Sequence, residues 1–411
     1  LYCYPPPGKE HLAGIGTDGL PRICKVTKPI YGMAQAGRRW QRSLFPWLEH
    51  ADRGFTRCHN DQCVFHQSRV MSTPDGDRHE TLMIGVYVDD LFVISSHNDE
   101  HSLYQKFIDD LQSAWEVEDE GEVQDLLNVE ISRDGDDVIL KQTKYIEKLL
   151  DTFCPDGVPS KYQSTHAPCD GRLPQLVCDA LTNMDPIDPK LLREYQAIIG
   201  SLLYCATQTR PDVAFAVGYL GRAMGKPTPE LLQAAHKVLY YLHHHKHVGL
   251  RYQASGKPMY GMTDSDWATK HSTSGSVFMF QSAAISWGSK KQATIALSST
   301  EAEIVAASEA AKEAISIDGL LDDLDEADGK PVSLACDNQS AIAVAYNPEH
   351  HSRMKHVERR HYFVRECVED MKLVVPFVRT DANLADFFTK PLDNKRFFEL
   401  RNSIMNYRNG D

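Results

Sequence analysis

The spacing of apolar residues changes along this chain, and each change marks a different kind of element. Thr81 to Val88 and Leu91–Phe92–Val93–Ile94 are β-rich runs on either side of Asp89–Asp90, which predicts two strands meeting at the acidic pair. Val138–Ile139–Leu140 reads as a strand and Tyr145–Phe153 as a helix. Residues from Cys154 to about Pro189 are rich in Pro, Asp and Ser and read as a linker. Helical spacing returns in Leu191–Cys205, Asp212–Met224 and Pro229–His244. The second of these follows Arg210–Pro211, and proline is tolerated at a helix start. Beyond Leu250, strands at Val277–Phe280, Ala284–Trp287 and Val332–Ala335 alternate with helices at Thr300–Ala314, Gln339–Tyr346 and Lys355–Met371. The pattern predicts an α/β (α+β) chain with a helical middle.

Composition narrows this. Of 411 residues, 42% are apolar and 25% charged, the fractions of folded protein rather than of a disordered tail or a fibre. At roughly 150 residues per domain, the length fits two or three domains. Lysine and arginine number 44 against 57 aspartates and glutamates, a net charge of −13. That balance argues against a general nucleic-acid coat; a polyanion partner needs a local basic groove, with metal ions bridging the acidic parts. The stretch from Trp115 to Asp137 is strongly acidic and reads as a solvated face. Ten cysteines without a CxxC pair point to a reduced intracellular setting. No apolar run approaches the ~20 residues of a membrane helix, and Asp89–Asp90 split the best candidate, Thr81 to Ser96, so no membrane partner is expected. The first methionine is Met33, and the chain reads as a section of a longer polypeptide.

Adjacent aspartates in an apolar β context are costly to bury as charges unless a cation pairs with them, and hard oxygen ligands suit Mg²⁺. In two-metal nucleotidyl transfer, carboxylates hold ions ~3.5–4 Å apart. An exposed β-turn is the other reading of Asp89–Asp90, and those residues alone leave both open. His243–His247 lies at a helix end beside Gly249 and reads as capping and solvation. Cys58, His59, Cys63 and His66 fit no closed zinc motif.

Tyr87–Val88–Asp89–Asp90 between apolar runs resembles the palm hairpin of reverse transcriptases. Lys28 to Trp40 (KPIYGMAQAGRRW) is similar to the LYGLKQAPRxW segment of copia-type retrotransposon polymerases. The same family's order continues through Gly54–Phe55, Asp61, Cys63–Val64–Phe65, Tyr195 to Tyr204 and Thr209–Arg210–Pro211–Asp212. It runs on through Ile285–Ser286–Trp287, Ser289 to Gln292, Leu297 to Glu303, Asp337 to Ala341 and Ala385–Asp386 with Thr389 to Leu392. The resemblance covers nearly the whole chain. It implies a reverse transcriptase palm and thumb over 1–165, a linker and helical connection over 166–250, and a ribonuclease H-like mixed sheet with flanking helices over 251–411.

What the resemblance implies for the site can be carried residue by residue. Asp89 and Asp90 match the paired palm carboxylates, catalytic and metal-holding. Gln35 matches the position near the incoming nucleotide, while Lys28, Arg38 and Arg39 offer phosphate contacts. The family's third palm aspartate precedes the Pro-rich segment that is Pro5–Pro6–Pro7–Gly8 here, so that aspartate and the fingers are expected beyond the N-terminus. Asp264, Glu303, Asp337 and Asp386 match the four acids of ribonuclease H. Such acids converge on two Mg²⁺ (or Mn²⁺) ions per active site and direct water at the RNA phosphodiester. Glu301 and Asp266 are the near alternatives, but Glu301 points roughly 200° away from Glu303 on a helix, which favours Glu303. Arg359 and Arg360 lie in the most basic segment of the last block and offer a face for a hybrid's phosphates.

The implied activity is RNA- or DNA-templated DNA synthesis within a longer Pol polyprotein, together with metal-dependent cleavage of RNA in RNA–DNA hybrids. The implied partners are RNA–DNA hybrid, RNA or DNA template-primer, deoxynucleoside triphosphates and the rest of the polyprotein. The implied place is a cytoplasmic virus-like particle or the nucleus. A different class remains open at this point: a folded relic that binds nucleic acid or a protein partner without catalysis. Asn128, at a family glycine position, and the short loop Ala268–His271 belong to that reading.

Overall fold

The computed structural model describes residues 2–408 apart from 6–7, 18, 21, 28–32, 34–35, 74–75, 268–270 and 347–357, and gives only the backbone of 10, 73 and 358–362. The chain divides into two compact units, Leu1–Asp119 with Leu320–Glu326, and Glu120–Gly319 with Ala327–Asp411.

In the first unit, helix α1 (Ala36–Leu48) precedes strands β1 (Thr56–Arg57), β2 (Val64–Thr73), β3 (Gly76–Tyr87) and β4 (Asp90–Ser95), then helix α2 (Leu103–Ala114). The four strands form an antiparallel sheet in sequence order. Leu82, Ile84 and Val86 alternate along β3 and face inward, as the period of two requires. They pack with Leu44, Phe45 and Leu48 of α1 and with Leu103, Phe107 and Leu111 of α2. Both helices present those residues at helical spacing. Buried Glu80 is held by Arg69 at 2.7 Å and accepts a hydrogen bond from Leu103 N–H at 3.1 Å.

The second unit opens with β5 (Asp125–Leu126), β6 (Val129–Asp134) and β7 (Asp137–Lys141). Leu127 and Asn128 join the first two with φ of 54° and 60°. A two-residue hairpin turn of type I′ needs both positions left-handed. Asparagine tolerates that conformation, so Asn128 serves the turn. Helices follow at α3 (Thr143–Phe153), α4 (Leu173–Thr182), α5 (Pro189–Gln208), α6 (Ala214–Gly221) and α7 (Pro229–His244). Helix α4 lies inside the segment read as linker. Its Leu173, Val177 and Ala180 share one buried face, a short stripe hidden among turn-forming neighbours. Part of the remaining linker is held by the histidine run: His244 Nε2 and His245 Nε2 lie 2.9 and 2.8 Å from the Tyr162 and Ser164 carbonyls. Burial pulls His245 down to about 4, so it stays neutral there.

The remaining elements are β8 (Leu250–Tyr252), β9 (Tyr260–Asp266), β10 (Thr273–Phe280), β11 (Ala283–Lys291), α8 (Ser299–Asp323), β12 (Val332–Cys336), α9 (Gln339–Tyr346), α10 (Glu358–Glu369), β13 (Leu373–Val374) and α11 (Asn394–Met405). Strand β8 completes the sheet β8-β7-β6-β5, while the other five form an open mixed sheet in the order β11-β10-β9-β12-β13. The β9–β12 and β12–β13 pairings are parallel.

One apolar core crosses the position 250/251. Ile198, Leu202, Val217 and Leu239 of the helices share it with Val277, Ala284, Phe388, Phe397 and Ile404. Trp287 Nε1 donates to the Ala206 carbonyl at 2.7 Å. Residues 251–411 expressed alone would expose that shared face, and each large side chain so uncovered costs about 1.5–3 kcal/mol. Thermal melts followed by circular dichroism should therefore show a cooperative transition for the full chain and none for 251–411. A cooperative melt of the excised piece at the same temperature would contradict this.

Candidate functional sites

Strands β9 and β12 run parallel with Thr263 opposite Cys336. The next residues, Asp264 within β9 and Asp337 just past β12, lie toward the same carboxyl end of the parallel pair, where open α/β sheets gather functional groups. Buried Asp264 accepts a hydrogen bond at Oδ2 from the Thr389 hydroxyl at 2.7 Å.

Glu303 arrives from α8. The start of that helix is set by Ser298 Oγ, which accepts from Glu301 N–H at 3.1 Å, while Glu301 Oε2 accepts from Leu297 N–H at 2.7 Å. Ser298 thus caps the helix while Glu301 reaches back to the residue before the cap, a relative of the capping box that gives Glu301 a role away from the acid cluster. Glu303 Oε1 accepts from Ser265 N–H at 3.3 Å. Its Oε2 is buried and has no hydrogen-bond partner among the described residues.

Asp386 sits on a 3-10 turn, Leu384–Phe388. Asn383 caps that turn by accepting from Ala385 N–H at 3.1 Å, and its Nδ2 donates to the Thr263 carbonyl at 3.1 Å, tying the turn to β9. Close approach of the turn to β10 requires Gly275: a Cβ there would lie 2.6 Å from the Ala385 oxygen and 2.6 Å from Thr389 Cγ2. The Lys390 ammonium pairs with Asp386 Oδ1.

Electrostatics follow from crowding like charges out of water. Burial, then the Asp264 and Asp337 carboxylates, push Glu303 up to about 8. Burial also pushes Asp264 up to about 6, with Asp386 and Asp337 adding to it and the Thr389 hydrogen bond opposing. The Cys336 thiol is pushed up to about 12, first by burial and then by Glu303. Donor atoms of Glu303, Cys336 and Asp337 lie within 4.8 Å of one another, the one such trio among the described residues. A divalent cation fits this group: burial raises the proton affinities of Glu303 and of the neighbouring Asp264, and one buried Glu303 carboxylate oxygen has no partner among the described residues.

The structure thus brings Asp264, Glu303, Asp337 and Asp386 together. Asp266 is exposed at the end of β9. Asp89 and Asp90 lie in the β3–β4 hairpin, where Tyr87 pairs with Asp90 and Val88–Asp89 form the turn. Both aspartates are exposed. Val88 has φ of 55°, a strained conformation for a β-branched residue. No third ligand joins the two aspartates in a metal-sized cluster among the described residues. Arg38 and Arg39 are exposed on α1, whereas Lys28 and Gln35 lie outside the described residues. The backbone of Arg359 and Arg360 is in α10, and their side chains also lie outside the described residues. Arg365, part of the same basic run, is buried and donates to the Val344 carbonyl at 2.8 Å. Sequence reasoning gave no role to Asn383, Thr389, Lys390 or Cys336. The visible signals were polar residues close to an acid and a thiol immediately before one.

Residues 1–165 match the family described as reverse transcriptase (RNA-dependent DNA polymerase). The Retrovirus-related Pol polyprotein from transposon TNT 1-94 of Nicotiana tabacum is 31% identical over 396 residues, 95% of this chain and 28% of that polyprotein. The chain therefore spans under a third of the length of that relative. Among solved structures, the foamy viral protease-reverse transcriptase in complex with RNA/DNA hybrid is 16% identical with a TM-score of 0.41, over 72% of this chain and 36% of that one. RNase H1 from the archaeon Halobacterium salinarum is 14% identical with a TM-score of 0.24, over 36% of this chain and 98% of that one. By its sequence relatives, the chain belongs to the copia-type retrotransposon Pol polyprotein family, with the reverse transcriptase family's sequence over residues 1–165.

Proposed function

We propose that the mixed sheet hydrolyses the RNA strand of RNA–DNA hybrids with Mg²⁺ or Mn²⁺. We further propose that Asp89 and Asp90 are the palm carboxylates for templated DNA synthesis from deoxynucleoside triphosphates within a Pol polyprotein. The observation that carries the nuclease reading is the meeting of Asp264, Glu303, Asp337 and Asp386 at one desolvated end of the sheet.

Two divalent ions held by these four carboxylates would supply Lewis-acid activation of the phosphodiester and of the attacking water. The chain's own residues arrange the site for that. Thr389 holds the Asp264 carboxylate in one orientation, and Ser265 N–H does the same for Glu303. Glu303 and Asp264 release protons as the cations bind, because only the ionised carboxylates are ligands. Lys390 offsets the charge of Asp386 until then. Lys28, Gln35, Arg38 and Arg39 are the proposed nucleotide and template contacts, and Arg359 and Arg360 those to the hybrid's phosphates.

The test uses the purified 411-residue chain, a hybrid with a labelled RNA strand, and Mg²⁺ or Mn²⁺. RNA in the hybrid should be cut and single-stranded RNA spared. Glu301→Gln should cut like the wild type, since Glu301 caps α8 rather than facing the acids. Absence of cleavage in both metals by folded protein would overturn the nuclease reading and favour a mixed sheet that is a non-catalytic relic.

A further inference from the structure

Cys336 closes β12 with its thiol turned into the acid cluster rather than into apolar packing alone. Its sulfur and an oxygen of each of Glu303 and Asp337 lie within 4.8 Å of one another. Cys336 is 1% exposed and Glu303 6%, and the Glu303 Oε2 has no hydrogen-bond partner among the described residues. Asn338 N–H approaches the sulfur at 3.4 Å. Such a donor favours a negative sulfur and fixes the direction of its lone pairs.

Four carboxylates alone suit a hard ion. A thiol among them changes the order of preference, because soft sulfur ligands select Zn²⁺ and similar ions over Mg²⁺. We propose that Glu303, Cys336 and Asp337 form a binding site for Zn²⁺ or another thiolate-seeking divalent ion, which takes two of the four carboxylates out of use and so inhibits cleavage. Binding forms one metal–sulfur and two metal–oxygen bonds, and the thiol proton and the proton held by the Glu303 carboxyl both pass to solvent. Three protein ligands leave the fourth tetrahedral position to water. The inhibition rests on the nuclease reading; the binding does not.

The deciding experiment is therefore a binding one. The full chain, reduced and free of divalent ions, is titrated with Cd²⁺ while the sulfur-to-metal charge-transfer absorption is followed, and Zn²⁺ is then added in competition. The wild type should show one tight site whose absorption Zn²⁺ displaces. Cys336→Ser should lose that absorption, whereas Cys367→Ser, a buried thiol elsewhere, should keep it. Glu303→Gln and the less buried Asp337→Asn should each weaken binding by at least the roughly tenfold that even an outer-shell partner costs. Unchanged absorption and affinity in Cys336→Ser would overturn the proposal. So would a thiol signal whose affinity neither carboxylate variant alters. Because no hybrid is present, failure here leaves the nuclease reading to its own test.

Discussion

Glu303→Gln should abolish cleavage of the RNA strand and, without divalent ions, make the protein more stable than the wild type at neutral pH. The loss of activity follows from removing a negative oxygen ligand at the point where the acids meet. It should exceed the roughly 10–100-fold cost of an outer-shell partner. The gain in stability follows from linkage. The Glu303 carboxyl is raised from 4.5 to about 8, so the folded state holds its proton more tightly than the unfolded chain does. Below pH 4.5 both states are protonated and nothing is lost. As the pH rises through that window, ionisation favours the unfolded chain, and the penalty is complete above about 8. At about 1.4 kcal/mol for each tenfold change in proton affinity, the penalty is a few kcal/mol. Asp264, raised from 3.8 to about 6, acts in the same direction over its own window.

Melts of the two proteins across that pH range check the argument. The wild type should lose stability as the pH rises and regain much of it on adding Mg²⁺. Glu303→Gln should show a shallower slope and a smaller response to the ion. Parallel pH slopes would remove the electrostatic account, and retained cleavage would remove Glu303 from the site.

Asp212→Asn should be the most destabilising change at the helical connection. Arg210 and Asp212 of the Thr209–Arg210–Pro211–Asp212 run are both 0% exposed and form a two-point pair, Nε to Oδ1 at 2.9 Å and Nη2 to Oδ2 at 2.6 Å. The Tyr241 hydroxyl donates to Asp212 Oδ2 at 2.6 Å, and Arg210 Nη1 donates to the His245 carbonyl at 2.9 Å. Burial alone would drive both groups toward their neutral forms; each partner's charge reverses that, holding the Asp212 carboxyl below its ordinary range and the Arg210 guanidinium above its own. Removing one charge strands the other in a dry core, at about 3–5 kcal/mol. Tyr241→Phe removes only a hydrogen bond to a charged group, worth about 1.5–3 kcal/mol. Denaturant unfolding of the second unit should rank the two variants in that order, and the reverse order would remove the pair from its structural role.

Local signals carried much of the architecture. Thr228 and Pro229 mark the start of α7, and the Thr228 side chain accepts from Leu231 N–H at 3.3 Å, so the expected and observed bounds of that helix coincide. The hairpin around the acidic pair was readable because two β-rich runs meet there, although its turn is Val88–Asp89 and Asp90 already opens β4. Glu303 was separable from Glu301 because helical geometry turns each residue by about 100°. Asp264, Asp337 and Asp386 were picked out by the resemblance to ribonuclease H, whose motifs occur here in family order.

Tertiary structure alone decided which distant elements meet. Helix α4 rests on three residues, too few for periodicity to stand out against the Pro- and Asp-rich chain around it. Arg365 belongs to a basic run in sequence but turns inward to the Val344 carbonyl, because helix orientation is set by what packs against it. The core that crosses 250/251 joins Leu202 to Val277 and Phe388, contacts that no local pattern encodes. Protonation at the acid site depends on the same kind of fact. Composition, spacing and end signals are properties of neighbouring residues, so the sequence by itself determined the elements and the order of the acids. Desolvation and charge–charge repulsion act through space, and only the parallel pairing of β9 with β12 placed Asp264, Asp337 and the Cys336 thiol against Glu303.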